Sequence, residues 1–309
     1  MEINRRAFLK LGLGAALAGP KKARAAVPGI DPSAQANRPQ AGCLVDTTLC
    51  IGCRKCEEAC NLRNRLPRPA KPFMDRLVFR RERRPTEDAF TIVNEYPGAP
   101  SADQPWIRQT YVKVQCLHCL TPACVSACIV GAMTRSSDGA VLYNPNICLG
   151  CRYCMVACPF QIPAYEYQSP LRPRVRKCEF CSNRVEGKGA NPACAAVCPT
   201  EALVFGTRGA LLTLARDRIQ KKPDRYFNHI YGEREAGGTS WLYLSGRPRG
   251  EIGLVEVPSV SPASRTEAIQ HGIFRYGLIP FAVYGVLGGL MWINRRSARK
   301  NSAGEESDE

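Results

Sequence analysis

The stretch CLGCRYCMVACP, from Cys148 to Pro159, places four cysteines at the spacing C-x2-C-x2-C-x3-C and ends on a proline. CIGCRKCEEAC, from Cys50 to Cys60, repeats that spacing. Two further runs are related to it: CLHCLTPACVSAC, from Cys116 to Cys128, and CEFC at 178–181, which is followed by CAAVCP at 194–199. Because these four runs hold sixteen of the seventeen cysteines in a chain of 309 residues, they decide what the chain folds around.

The spacing itself indicates iron–sulfur chemistry. C-x2-C-x2-C-x3-C-P is the bacterial ferredoxin pattern, in which three thiolates hold one cube and the fourth ligates its neighbour. Soft thiolates suit these irons. Gly52 and Gly150 lie between cysteines and let backbone N–H groups approach the sulfurs, which helps to set the reduction potential. The sequence therefore predicts four [4Fe–4S] clusters as cofactors.

Because the fourth cysteine of each run ligates the neighbouring cube, the spacing also predicts the ligands of each cluster. The second and third runs are adjacent and form one two-cluster module, which the first and fourth runs flank as a second module. We label the predicted clusters A to D by their ligands. The sets are Cys50, Cys53, Cys56 and Cys198 for A; Cys60, Cys178, Cys181 and Cys194 for B; Cys116, Cys119, Cys124 and Cys158 for C; and Cys128, Cys148, Cys151 and Cys154 for D.

Two non-redox alternatives fit the cysteines less well. Structural zinc sites combine two C-x2-C pairs and need no third cysteine at the next step. Disulfide scaffolds are typical of small exported chains, whereas this chain is long and its cysteines are crowded within each run.

Three other residues call for an interpretation. Cys43 lies outside the runs, and we expect an ordinary buried or half-exposed thiol. His118 lies inside the second run, where it either hydrogen-bonds a cube or, the expectation favoured here, is a partly exposed polar side chain. His271 precedes an apolar segment and is expected to be an interfacial histidine without a redox role.

The N-terminus predicts export. Arg5 and Arg6 precede a short, weakly apolar, glycine-rich stretch, as in a twin-arginine signal. Ala23-Arg24-Ala25 offers a cleavage site. This route carries folded proteins, so clusters can be inserted in the cytoplasm before export.

The C-terminal region predicts a membrane anchor. Tyr276–Ile293 is eighteen residues without a charge, which is enough to span a bilayer. Arg295, Arg296, Arg299 and Lys300 follow it, so the positive-inside rule keeps that end cytoplasmic and puts the folded domain on the outer, periplasmic face of the inner membrane.

The formal net charge is +16, and residues 1–25 carry six basic residues against one acidic residue, which leaves +11. Part of that excess balances anionic clusters, so nucleic-acid binding is not expected. The predicted segments are a signal peptide (1–25), a linker (26–42), a four-cluster domain (43–206) with a basic insertion (61–110), an extension (207–272), a transmembrane helix (273–294) and a cytoplasmic tail (295–309).

The predicted fold class is α+β, with two nested ferredoxin-like two-cluster modules and one C-terminal transmembrane helix. We expect strands at Thr110–Cys116, Ala202–Gly206 and Trp241–Leu244, and helices at Met155–Ala157 and 209–222. The insertion, rich in arginine and proline, is either a docking surface or a solvated loop. The sequence contains no catalytic motif such as H-E-x-x-H, G-x-S-x-G or a P-loop, so the chain is expected to relay electrons rather than to be an enzyme by itself.

The four cysteine runs, together with both ends and HIYGEREAGGTSWLYLSG at His229–Gly246, resemble the HybA family of four-cluster subunits in hydrogenase-2-type [NiFe] hydrogenases. The resemblance implies electron transfer from the small subunit of a catalytic dimer to a polytopic, quinone-reactive membrane partner. One departure is that Asn61 and Ile129, rather than proline, follow Cys60 and Cys128. Beta subunits of molybdenum or tungsten formate dehydrogenases and of polysulfide- or nitrite-reductase-type complexes remain alternatives.

Overall fold

The structure is a computed structural model that describes residues 40–100, 102, 105–106, 108–169, 171–185, 190–264, 267 and 278–305. For residues 278–282 and 297–305 it describes the backbone only. The predicted signal peptide (1–25), most of the linker, His271 and Tyr276 lie outside the described residues.

The fold is mixed α+β, with short elements apart from two longer helices. The strands of the described residues are β1 (Ala41–Asp46), β2 (Thr91–Pro97), β3 (Gln109–Gln115), β4 (Met133–Arg135), β5 (Val141–Tyr143), β6 (Ala164–Tyr165), β7 (Val175–Arg176), β8 (Leu203–Thr207) and β9 (Trp241–Leu244). The helices are α1 (Lys55–Asn64), α2 (Ala123–Ser126), α3 (Tyr153–Val156), α4 (Ser182–Val185), α5 (Ala193–Ala196), α6 (Arg208–Lys221) and α7 (Leu278–Glu305). Short 3₁₀ helices lie at Arg76–Arg80, Glu235–Gly237 and Arg249–Ile252. The three predicted strands and both predicted helices are confirmed to within two residues.

A three-stranded sheet organises the chain. Its order is β8-β1-β9, with β1 antiparallel to β8 and parallel to β9. Side chains alternate across a strand, so Leu44 and Leu242 pack with Leu211 of α6 on one face, while Cys43 and Trp241 join the core on the other. The sheet therefore has a helix on one side and the cysteine runs on the other.

The two cysteine modules repeat the same local geometry. The helices of the first and third runs, α1 and α3, each follow a left-handed residue, Arg54 and Arg152. The helices of the second and fourth runs, α2 and α5, each follow a proline, Pro122 and Pro192. This repeat relates the outer pair of runs to the inner pair, as nested modules require.

The basic insertion is built into the fold rather than being a solvated loop throughout. Its second half forms β2, which pairs with β3 and contributes the buried Ile92 and Val93 to the interior. Its arginines divide into two groups: Arg80 and Arg81 are exposed, whereas Arg83 pairs with buried Glu57.

The C-terminal part of the chain is helical from Leu278 to Glu305, which covers most of the predicted span. Among the described residues, none of the helices combines the length and the apolar character needed to cross a bilayer.

A buried carboxylate joins the sheet to α6. Asp46, at the end of β1, is fully buried. It accepts hydrogen bonds of 2.7 Å from the Arg218 guanidinium, the Tyr226 hydroxyl and the Thr48 hydroxyl. A buried charge is tolerated when it is paired and hydrogen-bonded in this way.

Removing that carboxylate should destabilise the sheet. Asp46→Ala leaves buried donors unsatisfied, at a cost of about 2–3 kcal/mol, and should lower the apparent midpoint of thermal unfolding by about 5–10 °C. Asp217→Ala is the control, because its pair with Lys221 on α6 is largely exposed and should be worth less than about 1 kcal/mol. Equal midpoints for the two variants would show that Asp46 does not hold α6 to the sheet.

Candidate iron–sulfur sites

Four cysteines from the first and fourth runs surround one cavity. Its walls include Cys50, Cys53, Cys56 and Cys198, the set predicted for cluster A. Cys56 lies on α1, and Cys198 follows α5. The cysteines of the two runs are at least 118 residues apart in the sequence, and the packing of α1 against α5 brings them together.

A second cavity lies about one helical turn further along α1. Cys60, Cys178, Cys181 and Cys194 line it, which is the set predicted for cluster B. Cys56 and Cys60 are four residues apart on α1, and one helical turn separates their side chains by about 6 Å along the axis. The helix pitch therefore delivers one thiol to each cavity.

The inner runs form two corresponding groups. The thiol of Cys119 lies in the electrostatic field of Cys116, Cys158 and Cys124, the set predicted for cluster C. Cys154 is similarly surrounded by Cys128, Cys148 and Cys151, the set for cluster D. The structure thus brings the sixteen cysteines together in four groups of four, while iron ligation by each group stays a prediction.

Tight turns aim backbone N–H groups at the sulfurs. The Gly150 N–H donates to Cys148 Sγ at 3.4 Å, and the Phe180 N–H donates to Cys178 Sγ at 3.3 Å. Gly52 has φ +68°, and a Cβ there would lie 2.5 Å from the Tyr111 ring. Only glycine fits this turn without strain, which supports the expectation that Gly52 and Gly150 permit close backbone approach.

Burial raises the pKa of several of these thiols. It raises the pKa of Cys50 to about 11 and that of Cys60 to about 12. Burial also raises the pKa of Cys56 and Cys178 well above the usual range. Coordination to a metal ion deprotonates a thiol outright, so cluster insertion and thiolate formation are coupled.

Two ring N–H groups are among the buried polar atoms that lack a partner within the described residues. Trp241 Nε1 is one, and Trp241 lines the cavity of cluster B. His118 Nε2 is the other; His118 Nδ1 accepts a 2.8 Å hydrogen bond from the Val141 N–H. Buried donors need acceptors, and cluster sulfides are acceptors, so these atoms fit an iron–sulfur group.

The expectation for His118 is therefore wrong. The side chain is fully buried rather than partly exposed, because its ring packs against Phe180 at 5.0 Å between centroids. Burial and the nearby Lys177 and Lys113 charges lower the pKa of His118 well below its usual value, so the imidazole is neutral. The position of His118 between Cys116 and Cys119 in the sequence gave no signal of this packing.

Cys43 is a buried thiol in β1 and stands outside the four groups, as expected. All seventeen cysteines are free thiols, which removes the disulfide scaffold. In the part of the chain that the structure describes, no group of three or more His, Cys, Asp or Glu side chains is arranged to hold a single metal ion.

A buried ion-pair network fixes the first run. Glu57, on α1 beside Cys56, accepts 2.7 Å hydrogen bonds from Arg54 Nη2, Arg83 Nη2 and the Val93 N–H. Arg54 also donates to the carbonyl of Phe73 at 3.0 Å. Sequence reasoning missed Glu57, since nothing separates it from the exposed Glu58 except the tertiary contacts.

Comparison with known proteins agrees with this geometry. Residues 107–208 match the family described as a 4Fe-4S dicluster domain. The chain is 35% identical to the hydrogenase-2 operon protein HybA of Escherichia coli O157:H7, with 97% of each chain covered. It is 47% identical to a protein of Nitratidesulfovibrio vulgaris over 82% of this chain and 67% of that one. It is 30% identical to the formate dehydrogenase-O iron-sulfur subunit of Escherichia coli K12, over 93% and 96%.

The cysteine geometry and these matches define an iron–sulfur electron-transfer protein that is not an enzyme by itself. Its cofactors are [4Fe–4S] clusters, and its sixteen grouped cysteines are enough for four. The chain belongs to the HybA family of hydrogenase-2 operon iron–sulfur proteins.

Loss of the buried carboxylate of Glu57 should empty the sites of clusters A and B, which the first and fourth runs form. Glu57→Ala leaves the Arg54 charge buried and unpaired, at a cost of about 3–5 kcal/mol. We expect iron to fall from about sixteen toward about eight atoms per chain, because metal binding and local folding are coupled. Iron analysis of anaerobically purified protein measures this.

The matched control is Glu58→Ala, since Glu58 neighbours Glu57 on α1 and is exposed. It should retain the wild-type iron content. Equal iron in both variants would exclude a structural role for the Glu57 network.

Proposed function

We propose that the chain relays electrons through four [4Fe–4S] clusters between a [NiFe] hydrogenase catalytic dimer and a quinone-reactive membrane subunit. The clusters, when bound, supply one-electron carriers. The observation that carries the proposal is that the sixteen run cysteines form four groups of four.

Contacts between neighbouring groups support the order A-B-C-D. Helix α1 carries one cysteine of A and one of B. Cys178 of group B lies in the field of Cys116 of group C, and the rings of Phe180 and His118 meet at the same boundary. Cys124 of group C and Cys154 of group D belong to one buried cluster. The two modules therefore meet through B and C and leave A and D at the ends.

One observation favours placing D toward the membrane partner. Around group D, the apolar side chains of Ile129, Leu149, Tyr153 and Val156 are exposed. Exposed apolar patches of this kind mark interaction sites. By this order, A lies toward the catalytic dimer.

The cellular location of the chain belongs to the same proposal. Arg5 and Arg6 support twin-arginine export, and the charge-free Tyr276–Ile293 followed by arginines supports an inner-membrane anchor with a cytoplasmic C-terminus. The folded domain then lies on the periplasmic face, where it meets an exported catalytic dimer.

The second candidate is the iron–sulfur subunit of a formate dehydrogenase. The 30% identity to the formate dehydrogenase-O iron-sulfur subunit over nearly the whole chain favours it. The two candidates share the cluster relay and differ in the metal of the catalytic partner.

Metal analysis of the detergent-solubilised complex decides between them. We expect about sixteen irons per copy of this chain, together with nickel and a polytopic membrane protein. Molybdenum or tungsten in place of nickel would retain the relay and assign it to the second candidate. A colourless, iron-free chain would exclude the relay itself.

Cutting the relay at either end tests its direction. Cys154→Ala should lose or convert cluster D, so hydrogen still reduces three clusters while quinone reduction falls at least tenfold. Cys56→Ala alters cluster A, so hydrogen should reduce the remaining clusters slowly. Dye-linked hydrogen oxidation by the catalytic dimer should be unchanged in both. EPR of hydrogen-treated samples distinguishes the variants. Slow cluster reduction in Cys154→Ala rather than in Cys56→Ala would place D, not A, toward the catalytic dimer.

A further inference from the structure

Lys113 is a buried lysine that lies between two cysteine groups. It is 2% exposed and belongs to β3. It lines the cavity of group A and also that of group B. Burial of an ammonium group carries a large desolvation cost unless an anion compensates it.

The direct contacts of Lys113 do not supply that anion. Its Nζ donates a 2.8 Å hydrogen bond to Gln115 Oε1 and lies 4.4 Å from the centre of the Trp241 ring. Both partners are neutral. Within the described residues, Lys113 forms no ion pair with a carboxylate, whereas buried Arg54 is paired with Glu57.

The groups around Lys113 that would become anionic on binding a cluster are the cysteines. Its pKa is lowered by desolvation and raised by the sulfurs of Cys194, Cys56, Cys178 and Cys60, with a net upward shift. Cys56 belongs to group A and the other three to group B. The ammonium therefore faces both sites at once.

A hydrogen-bonded network holds the ammonium group in place. Gln115 is fully buried, and its Nε2 donates a 2.8 Å bond to the Tyr243 hydroxyl. That hydroxyl donates a 2.9 Å bond to the carbonyl of Lys113. Because Gln115 and Tyr243 are fixed by packing, the Lys113 ammonium is already in position and does not have to move when a cluster changes its redox state.

We propose that Lys113 is the shared counter-cation of clusters A and B and that it raises the reduction potential of both relative to a neutral residue at this position. This inference rests on the proposed function. Each cluster with its four thiolates is a dianion when oxidised and a trianion after it gains one electron from a reductant such as dithionite. A fixed positive charge stabilises the trianion more than the dianion, so it favours reduction.

The experiment is a potentiometric titration with dithionite, followed by EPR, on the solubilised complex that contains the full chain. Lys113→Met removes the charge and keeps the length of the side chain. For two of the four couples, we expect the ratio of reduced to oxidised cluster at a fixed potential to fall at least tenfold, which is 59 mV for a one-electron couple. The other two couples should shift less than twofold.

A second neutralising variant leaves Lys113 in place. Gln115→Glu places a carboxylate at the Nζ and cancels its field, so the same two couples should shift in the same direction. The matched control is Lys55→Met, because Lys55 also lines the cavity of group A but is exposed to solvent, where its charge is screened. It should shift each of the four couples less than twofold.

The outcomes separate this inference from the proposed function. A wild-type sample without four couples would overturn the relay. Four wild-type couples that are unmoved, or moved equally, by Lys113→Met would overturn only the role of Lys113, as would an equal shift from Lys55→Met. Lys113→Arg keeps the positive charge. If both neutralising variants lose iron while Lys113→Arg keeps it, the clusters require the charge, which supports the role of Lys113 as a counter-cation. Loss of iron from all three would assign Lys113 to packing and overturn the proposal.

Discussion

The gathering of sixteen thiols into four groups is the constraint on which the rest of this structure depends. The four cysteine groups occupy the volume that side chains fill in an ordinary core, and the elements around them are mostly four residues or fewer. Such elements have little stability of their own. Because burial raises the pKa of many of the thiols and metal binding requires thiolates, we expect folding of the region and cluster insertion to be coupled.

Charge balance follows from that constraint. Clusters bring negative charge into the interior, and the chain supplies buried cations beside them. Lys113 lies between groups A and B, while Lys177 is also buried and donates to the carbonyls of Val141 and Cys178. These two lysines therefore place basic charge inside the protein, as expected from the anionic cofactors. Arg54 and Arg83 have a different task, since they bind Glu57 and hold the insertion against the first run.

The residues after the fourth run complete the interior. Strand β9 pairs in parallel with β1, and its Trp241 and Tyr243 project toward the cysteine groups while Leu242 and Leu244 pack with α6. The segment from 207 onward is thus a structural part of the iron–sulfur domain as well as a connection toward α7. A boundary near residue 206 describes the end of the cysteine runs rather than the end of the packed core.

The sequence by itself determined the chemistry. Thiolate spacing along a helix of fixed pitch predicts which cysteines wrap one site and which reaches the next, so the four groups could be written down without coordinates. Strands β3, β8 and β9 and helix α6 could also be predicted, because their apolar patterns are local, whereas β1 and β2 were not predicted. Only the tertiary structure decided the burial of His118, the network of Glu57 and the position of Lys113 between two groups. Each depends on contacts between residues far apart in the chain, and an exposed and a buried charge look the same in a sequence until the fold places their neighbours.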